Sequence, residues 1–203
     1  MGRRFLQQRR RDPYYRAAQR QGLRSRASFK VADLGRRFPI FHVGDSVLDL
    51  GAAPGGWSIV ARECVGAAGR VVAVDPRSVE PLEGVEVVRG TVGDPRLVVR
   101  LGPDPFDVVL SDMSPRISGA YATDHARSVD LVRLAFDLSR AVLREGGVFV
   151  AKVFAGDLLP ELEAELRPSF ERLVRSKPPA SRQQSSEIYL VGLGFRRVAG
   201  AAP

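Results

Sequence analysis

Short apolar runs of strand length alternate along most of this chain with segments whose apolar residues recur at helical spacing. The pattern predicts strands near 46–50, 70–74, 85–89, 107–111, 147–153, 170–175 and 187–193, with helices near 56–66, 94–101, 125–144 and 157–167 between the first six. A further helix is expected from a cap at Ser28 to about Arg37, with Val31, Leu34 and Phe38 on one face. Strands alternating with helices imply an α/β fold, a mostly parallel seven-stranded sheet covered on both faces. The first, fourth and fifth strands read as continuous apolar runs, the buried type. No helix separates the last two strands, only Lys177-Pro178-Pro179-Ala180 and a Ser/Arg/Gln loop, so the final strand is expected to be antiparallel.

Composition narrows the chemistry. With 203 residues and 44% apolar content, the chain can close a core without disulfides or a structural metal. Cys64 is the only cysteine, and His42 and His125 the only histidines, which excludes disulfide frameworks and zinc sites of the usual spacing. No apolar run approaches membrane-spanning length, and Met1-Gly2-Arg3-Arg4 leads into charge instead of a signal core, so a cytoplasmic protein without membrane or metal partners is expected.

The net charge of +8 is concentrated at one end. Residues 1 to 30 hold nine arginines and Lys30 against Asp12 alone, while the rest of the chain is nearly neutral. The expected organisation is a basic arm over 1–27, a domain over 28–197 and a tail over 198–203. Arg3, Arg4, Arg9, Arg10 and Arg11, with Tyr14 and Tyr15 close behind, suit a phosphate backbone and exposed bases, which points to RNA. Deleting residues 1 to 12 is expected to weaken RNA binding and flatten its salt dependence; binding curves unchanged across a salt series would remove the assignment.

The most specific segment is Val47-Leu48-Asp49-Leu50-Gly51-Ala52-Ala53-Pro54-Gly55-Gly56-Trp57-Ser58, a strand entering a glycine-rich turn and then a helix. Gly51, Gly55 and Gly56 let backbone approach a ligand closely. A dinucleotide fingerprint needs a glycine where Ala53 stands, and Pro54 has no N–H to give a phosphate. A nucleoside without phosphate, such as S-adenosylmethionine, fits better, with Asp75 at the end of the next strand to take its ribose diol.

Four charged residues fall at strand ends or loop edges: Lys30, Asp112, Lys152 and Glu187. Arginine outnumbers lysine 28 to three, yet two of the three lysines are in this set. A lysine can act as a compact charge or, when neutral, as a base, whereas arginine keeps its proton. Two lysines with two carboxylates can orient a hydroxyl and manage its proton, although a structural ion pair between Lys152 and Asp112 is an alternative reading of that pair.

From about Phe29 to Leu193 the chain resembles the RrmJ/FtsJ family of RNA 2′-O-methyltransferases. The resemblance is carried by Ser28-Phe29-Lys30, the Leu48–Ser58 turn, Ser111-Asp112-Met113-Ser114-Pro115, Val150-Ala151-Lys152-Val153-Phe154 and Ser181-Arg182-Gln183-Gln184-Ser185-Ser186-Glu187-Ile188-Tyr189. It implies a Rossmann-like fold dependent on S-adenosylmethionine, a catalytic tetrad of Lys30, Asp112, Lys152 and Glu187, and cofactor contacts at Gly55, Trp57, Asp75 and Asp112, with Gly51, Pro54 and Gly56 of the same turn also expected to line the cofactor. One departure is Thr91, where the family often carries an acid against adenine; either the Thr91 hydroxyl or Asp94 serves instead. Lys152 as a neutral amine would take the hydroxyl proton, and as a cation would stabilise the developing alkoxide.

Other routes fit less well. Pyrimidine C5 methylation needs a cysteine nucleophile, and Cys64 is expected to pack as a small apolar residue in the helix after the turn. Amine methylation brings an aromatic after its Pro run, but Arg116 follows Pro115. The resemblance favours a uridine of the large-subunit ribosomal RNA A loop as acceptor, with ribosomal RNA or the large subunit as partner. A tRNA anticodon-loop enzyme and a non-catalytic ribosome assembly factor are the alternatives.

Overall fold

The computed structural model describes residues 27–178 and 186–197; the arm residues through 26, the 179–185 loop and the tail after 197 lie outside them. Seven strands form one sheet: β1 (Ser46–Leu50), β2 (Arg70–Asp75), β3 (Glu86–Arg89), β4 (Phe106–Ser111), β5 (Leu143–Phe154), β6 (Phe170–Ser176) and β7 (Glu187–Phe195). Their order is β3-β2-β1-β4-β5-β7-β6. The pairs from β3 through β5 are parallel, and β7 runs antiparallel to both β5 and β6. The chain steps outward in one direction from β1 to β3 and in the other from β4 onward. The crevice above β1 and β4 is therefore a topological switch point, where sheets of this kind bind ligands.

Among the described residues, five α-helices cover the sheet: α1 (Ala27–Arg37), α2 (Gly56–Val65), α3 (Pro95–Leu101), α4 (Tyr121–Val142) and α5 (Leu159–Leu166). The period of two along each strand divides the core. Leu48, Leu50, Val109, Ala151 and Val153 pack with Leu97, Val129, Val132 and Leu162, the side of α3, α4 and α5. Val47, Val108, Leu110, Val150 and Val191 pack with Val31, Leu34, Trp57 and Val60, the side of α1 and α2.

Three local expectations change. Ser28 is not a cap: α1 begins at Ala27, and the buried Ser28 hydroxyl donates to the Gly56 carbonyl at 3.0 Å, fastening α1 to the start of α2. Phe38 lies just beyond α1 and is half-buried. The helix expected over 125–144 starts at Tyr121, because Asp124 in its first turn accepts from Ser118 N, Ser118 Oγ and Gly119 N and folds the preceding loop onto the helix. It ends at Val142, and β5 begins at Leu143 with a register irregularity against β4. Cys64 is exposed at the residue level, and partial desolvation of its thiol together with the Glu63 charge pushes its pKa up, away from a thiolate nucleophile.

Candidate active site

The sheet's alternation brings the charged residues together. Leu110, Val150 and Val191 face α1 and α2, so Asp112, Lys152 and Tyr189, each two residues along from one of them, continue on that face, as does Glu187. Lys152 stands opposite Tyr189 across the β5–β7 ladder, and Phe154 opposite Glu187. Lys30 enters from α1, whose position over this face is fixed by the Ser28 bond and by the Trp57 indole, which donates to Ala27 O at 2.9 Å.

Two ion pairs result. Lys30 Nζ lies 2.6 Å from Glu187 Oε2, and Lys152 Nζ lies 2.9 Å from Asp112 Oδ1 and 2.9 Å from the Asp112 carbonyl oxygen. Both ammonium groups are buried. Tyr189 lies between them: its hydroxyl is 3.4 Å from Asp112 Oδ1, and its ring centroid is 5.7 Å from Lys30 Nζ. Sequence reasoning left Tyr189 without a role, although it stands two residues from Glu187 on one strand face. With two contacts to Asp112, Lys152 has one tetrahedral position left at Nζ, a lone pair if neutral and an N–H if charged.

The glycine turn is built at the same edge. Gly51 (φ 76°) takes over from β1, with its amide on Val74 O, and an added Cβ there would meet Met113 Cγ at 2.8 Å and Met113 N at 3.0 Å. Only glycine lets the turn approach the Asp112 loop this closely. Gly55 (φ 102°) precedes α2, and the Ala53–Pro54 peptide is cis. The start of α2 at Gly56 leaves amides without intrahelical partners facing the crevice.

Asp75, at the end of β2, is buried beside the turn. Its Oδ2 accepts from Ala53 N at 3.0 Å, its Oδ1 from Arg77 N at 2.8 Å and Arg77 Nε at 3.0 Å, and Arg77 Nη2 reaches both Asp75 Oδ2 and Ala53 O. Burial pushes the carboxyl pKa up, but the Arg77 and Ala53 hydrogen bonds outweigh it and the net shift is downward. An anionic carboxylate at a strand end beside a glycine turn fits a ribose diol, provided the diol takes the place of the Arg77 guanidinium. The Arg77 side chain is 70% exposed, so water can take over its contacts when it is displaced.

Two expected contacts change character. The Trp57 indole is only 2% exposed, tilted against Tyr189 with centroids 5.6 Å apart, so its ring belongs to the core beneath α1 and only its backbone is left for a ligand. Asp94 caps α3, accepting from Arg96 N at 3.0 Å, and the Arg96 side chain holds its pKa down. Thr91 is exposed beside it. Arg3, Arg4, Arg9, Arg10, Arg11, Tyr14 and Tyr15 lie outside the described residues. Among the described residues, no group of three or more His, Cys, Asp or Glu side chains is placed to hold a metal, and no helix is long and apolar enough to cross a membrane.

Asp49 was not singled out by sequence. It is fully buried under the turn, accepting from Ser58 Oγ at 2.6 Å through Oδ2, while Oδ1 has no hydrogen-bond partner. Burial pushes its pKa up to about 7, helped by the Asp112 and Asp75 charges and opposed by Ser58. A carboxyl that binds its proton more tightly folded than unfolded stabilises the fold below the unfolded value near 3.8, and that contribution is lost as pH rises toward 7. Wild-type stability is therefore expected to fall between pH 4 and pH 8 relative to Asp49→Asn, by roughly 4 kcal/mol at most. Paired denaturant titrations whose difference stays constant with pH would show that Asp49 ionises normally.

A glycine turn above β1, a carboxylate ending β2 and an antiparallel β7 inserted beside β5 define a methyltransferase of Rossmann-like fold. The model of the FtsJ-like methyltransferase family matches residues 23–195, and the chain belongs to that family. It is 46% identical over 187 residues to the ribosomal RNA large subunit methyltransferase E of Methanocella arvoryzae, covering 91% of this chain and 73% of that one. It is 45% identical over 192 residues to the protein of the same name from Archaeoglobus fulgidus, covering 93% and 98%. A crystal structure described as a ribosomal RNA methyltransferase from Plasmodium falciparum shares the fold with a TM-score of 0.77 at 24% identity, over 85% of this chain and 98% of that one.

Proposed function

We propose that this protein transfers a methyl group from S-adenosylmethionine to a ribose 2′-hydroxyl of RNA, with a uridine of the large-subunit ribosomal RNA A loop as the acceptor. The observation that carries the reading is the pair of buried lysine–carboxylate contacts, Lys30–Glu187 and Lys152–Asp112, on one sheet face beside the glycine turn. The names of the relatives support ribosomal RNA as the substrate class.

When bound, S-adenosylmethionine supplies an electrophilic methyl group; this chain's residues do the rest. Gly51, Pro54, Gly55, Gly56 and the Trp57 backbone shape the turn, and Asp75 takes the ribose diol. Thr91 and the capping Asp94 border the adenine end. Asp112 fixes Lys152 through two contacts, so that the remaining position on Nζ is directed at the acceptor hydroxyl. There Lys152, if neutral, would take the hydroxyl proton; if already an ammonium, it would hold the oxygen's growing negative charge while the proton passes to water, the methyl–sulfur bond electrons staying on the donor's sulfur in either case. Lys30 and Glu187 hold the ribose so that the hydroxyl stays in near-attack position, where most of the acceleration arises. The basic arm, Arg3 to Arg11 with Tyr14 and Tyr15, draws in the RNA backbone.

Incubation of the protein with labelled S-adenosylmethionine and cellular RNA, followed by mapping of the modified nucleotide, tests the proposal. Label on a ribose of large-subunit RNA is expected. Label on tRNA would move the substrate, and no label in any RNA despite bound cofactor would favour a binding role in ribosome assembly.

A further inference from the structure

Tyr121 is the one exposed phenylalanine, tyrosine or tryptophan among the described residues, with 60% of it accessible. It is also firmly held. Its hydroxyl donates to Ala155 O at 3.0 Å, and its ring lies nearly parallel to His125, with centroids 6.2 Å apart and an interplanar angle of 14°. His125 is itself fixed, because Nδ1 contacts Phe154 O at 3.0 Å and Nε2 accepts from Leu158 N at 3.0 Å. Those partners select the tautomer with its proton on Nδ1. Gly156 packs against the imidazole so closely that an added Cβ would lie 2.5 Å from it. Ser128 adds a further tie, accepting from Phe154 N and donating to His125 O.

A tyrosine that is merely structural buries its ring. Here the hydroxyl is tethered and a buried imidazole backs one face, so the outward face is presented in a fixed orientation with little ordering left to do on binding. Its place is informative. The ring is anchored to Ala155, just past Lys152 at the end of β5, and it closes the loop that leaves Asp112. That loop carries exposed Ile117 (64%) and exposed Arg116, and exposed Arg127 follows within the first turns of α4. An exposed aromatic tethered just past the end of the strand that carries Lys152, with exposed arginines in the same loop and helix, matches an unpaired base with its phosphates, since stacking accepts any base and guanidinium groups meet the backbone.

We infer that Tyr121, backed by His125, is a stacking platform for an unpaired RNA base neighbouring the methylated nucleotide, with Arg116 and Arg127 on its flanking phosphates. The inference rests on the RNA ribose-methylation reading above and adds a substrate subsite to it.

The test uses the full-length protein, tritiated S-adenosylmethionine and an unmodified large-subunit ribosomal RNA transcript. Tyr121→Ala is expected to raise KM for the transcript about tenfold, with kcat and cofactor affinity changed less than about twofold. Tyr121→Phe and Tyr121→Trp, which keep a ring, are expected to restore most of that loss. An unchanged KM in Tyr121→Ala, a loss that neither aromatic variant restores, or a matching fall in cofactor affinity would overturn the platform. A wild type that leaves the transcript unlabelled would instead sink the ribose-methylation reading. In that event the platform is judged by direct binding of a fluorescent oligouridylate, which Tyr121→Ala must weaken for the inference to stand.

Discussion

Lys152→Ala is expected to lower methyl transfer by about a thousandfold or more, with cofactor affinity nearly unchanged. Lys152 is buried, and its two contacts, to Asp112 Oδ1 and the Asp112 carbonyl, hold it at the edge of the crevice and leave one position on Nζ for the acceptor oxygen. Removing the amine takes away the proton acceptor or the balancing charge, and Lys30 is already engaged with Glu187. Stability should fall as well, because Asp112 loses its buried counter-charge. Lys152→Arg separates the two chemical roles: a guanidinium restores positive charge but cannot take a proton, so appreciable transfer in that variant identifies charge stabilisation as sufficient. Single-turnover transfer measured beside calorimetric cofactor binding is the decisive pairing. Near-wild-type turnover in Lys152→Ala would refute the assignment outright.

The second large effect is expected at Asp75. Asp75→Ala should weaken cofactor binding by about a hundredfold, the loss of two charge-assisted hydrogen bonds to a diol. Asp75→Asn keeps the shape and one acceptor and should lose less, about tenfold. Because the carboxylate also tethers Ala53 N and Arg77, the alanine variant disturbs the turn itself, and the asparagine variant isolates the diol contact. Equilibrium dialysis with S-adenosylmethionine distinguishes the outcomes, and affinity within about threefold of wild type in both variants would place the diol elsewhere.

The fold was legible in the sequence wherever local pattern decides structure. The alternation of apolar runs and amphipathic stretches marked seven strands and the helices between them, and the missing helix after residue 176 marked the antiparallel β7. That Asp112 and Lys152 come together was legible for a related reason: each follows an apolar run, at the ends of the paired strands β4 and β5. What escaped the sequence depends on contacts between distant segments. Ser28 has the composition of a cap, but the Gly56 carbonyl, 28 residues on, claims its hydroxyl. The family resemblance marks Trp57 as a cofactor contact, yet α1 and Tyr189 surround its ring. Arg77 is one arginine among 28, and its hold on Asp75 is invisible without coordinates. The early start of α4 was hidden because Asp124 caps from inside the helix and gathers a loop with no periodicity of its own.

The insertion of β7 between β5 and β6 sets the order in which the protein can mature. Lys30 and Glu187 are separated by 157 positions, whereas Lys152 and Asp112 are separated by only 40. A growing polypeptide can shape the glycine turn and the inner parallel strands early, but the Lys30–Glu187 contact waits until residue 187 has left the ribosome and β7 has inserted between β5 and β6. Newly made chains should therefore settle the turn beside Asp75 well before Lys30 and Glu187 meet, so this long-range ion pair is among the late contacts of maturation.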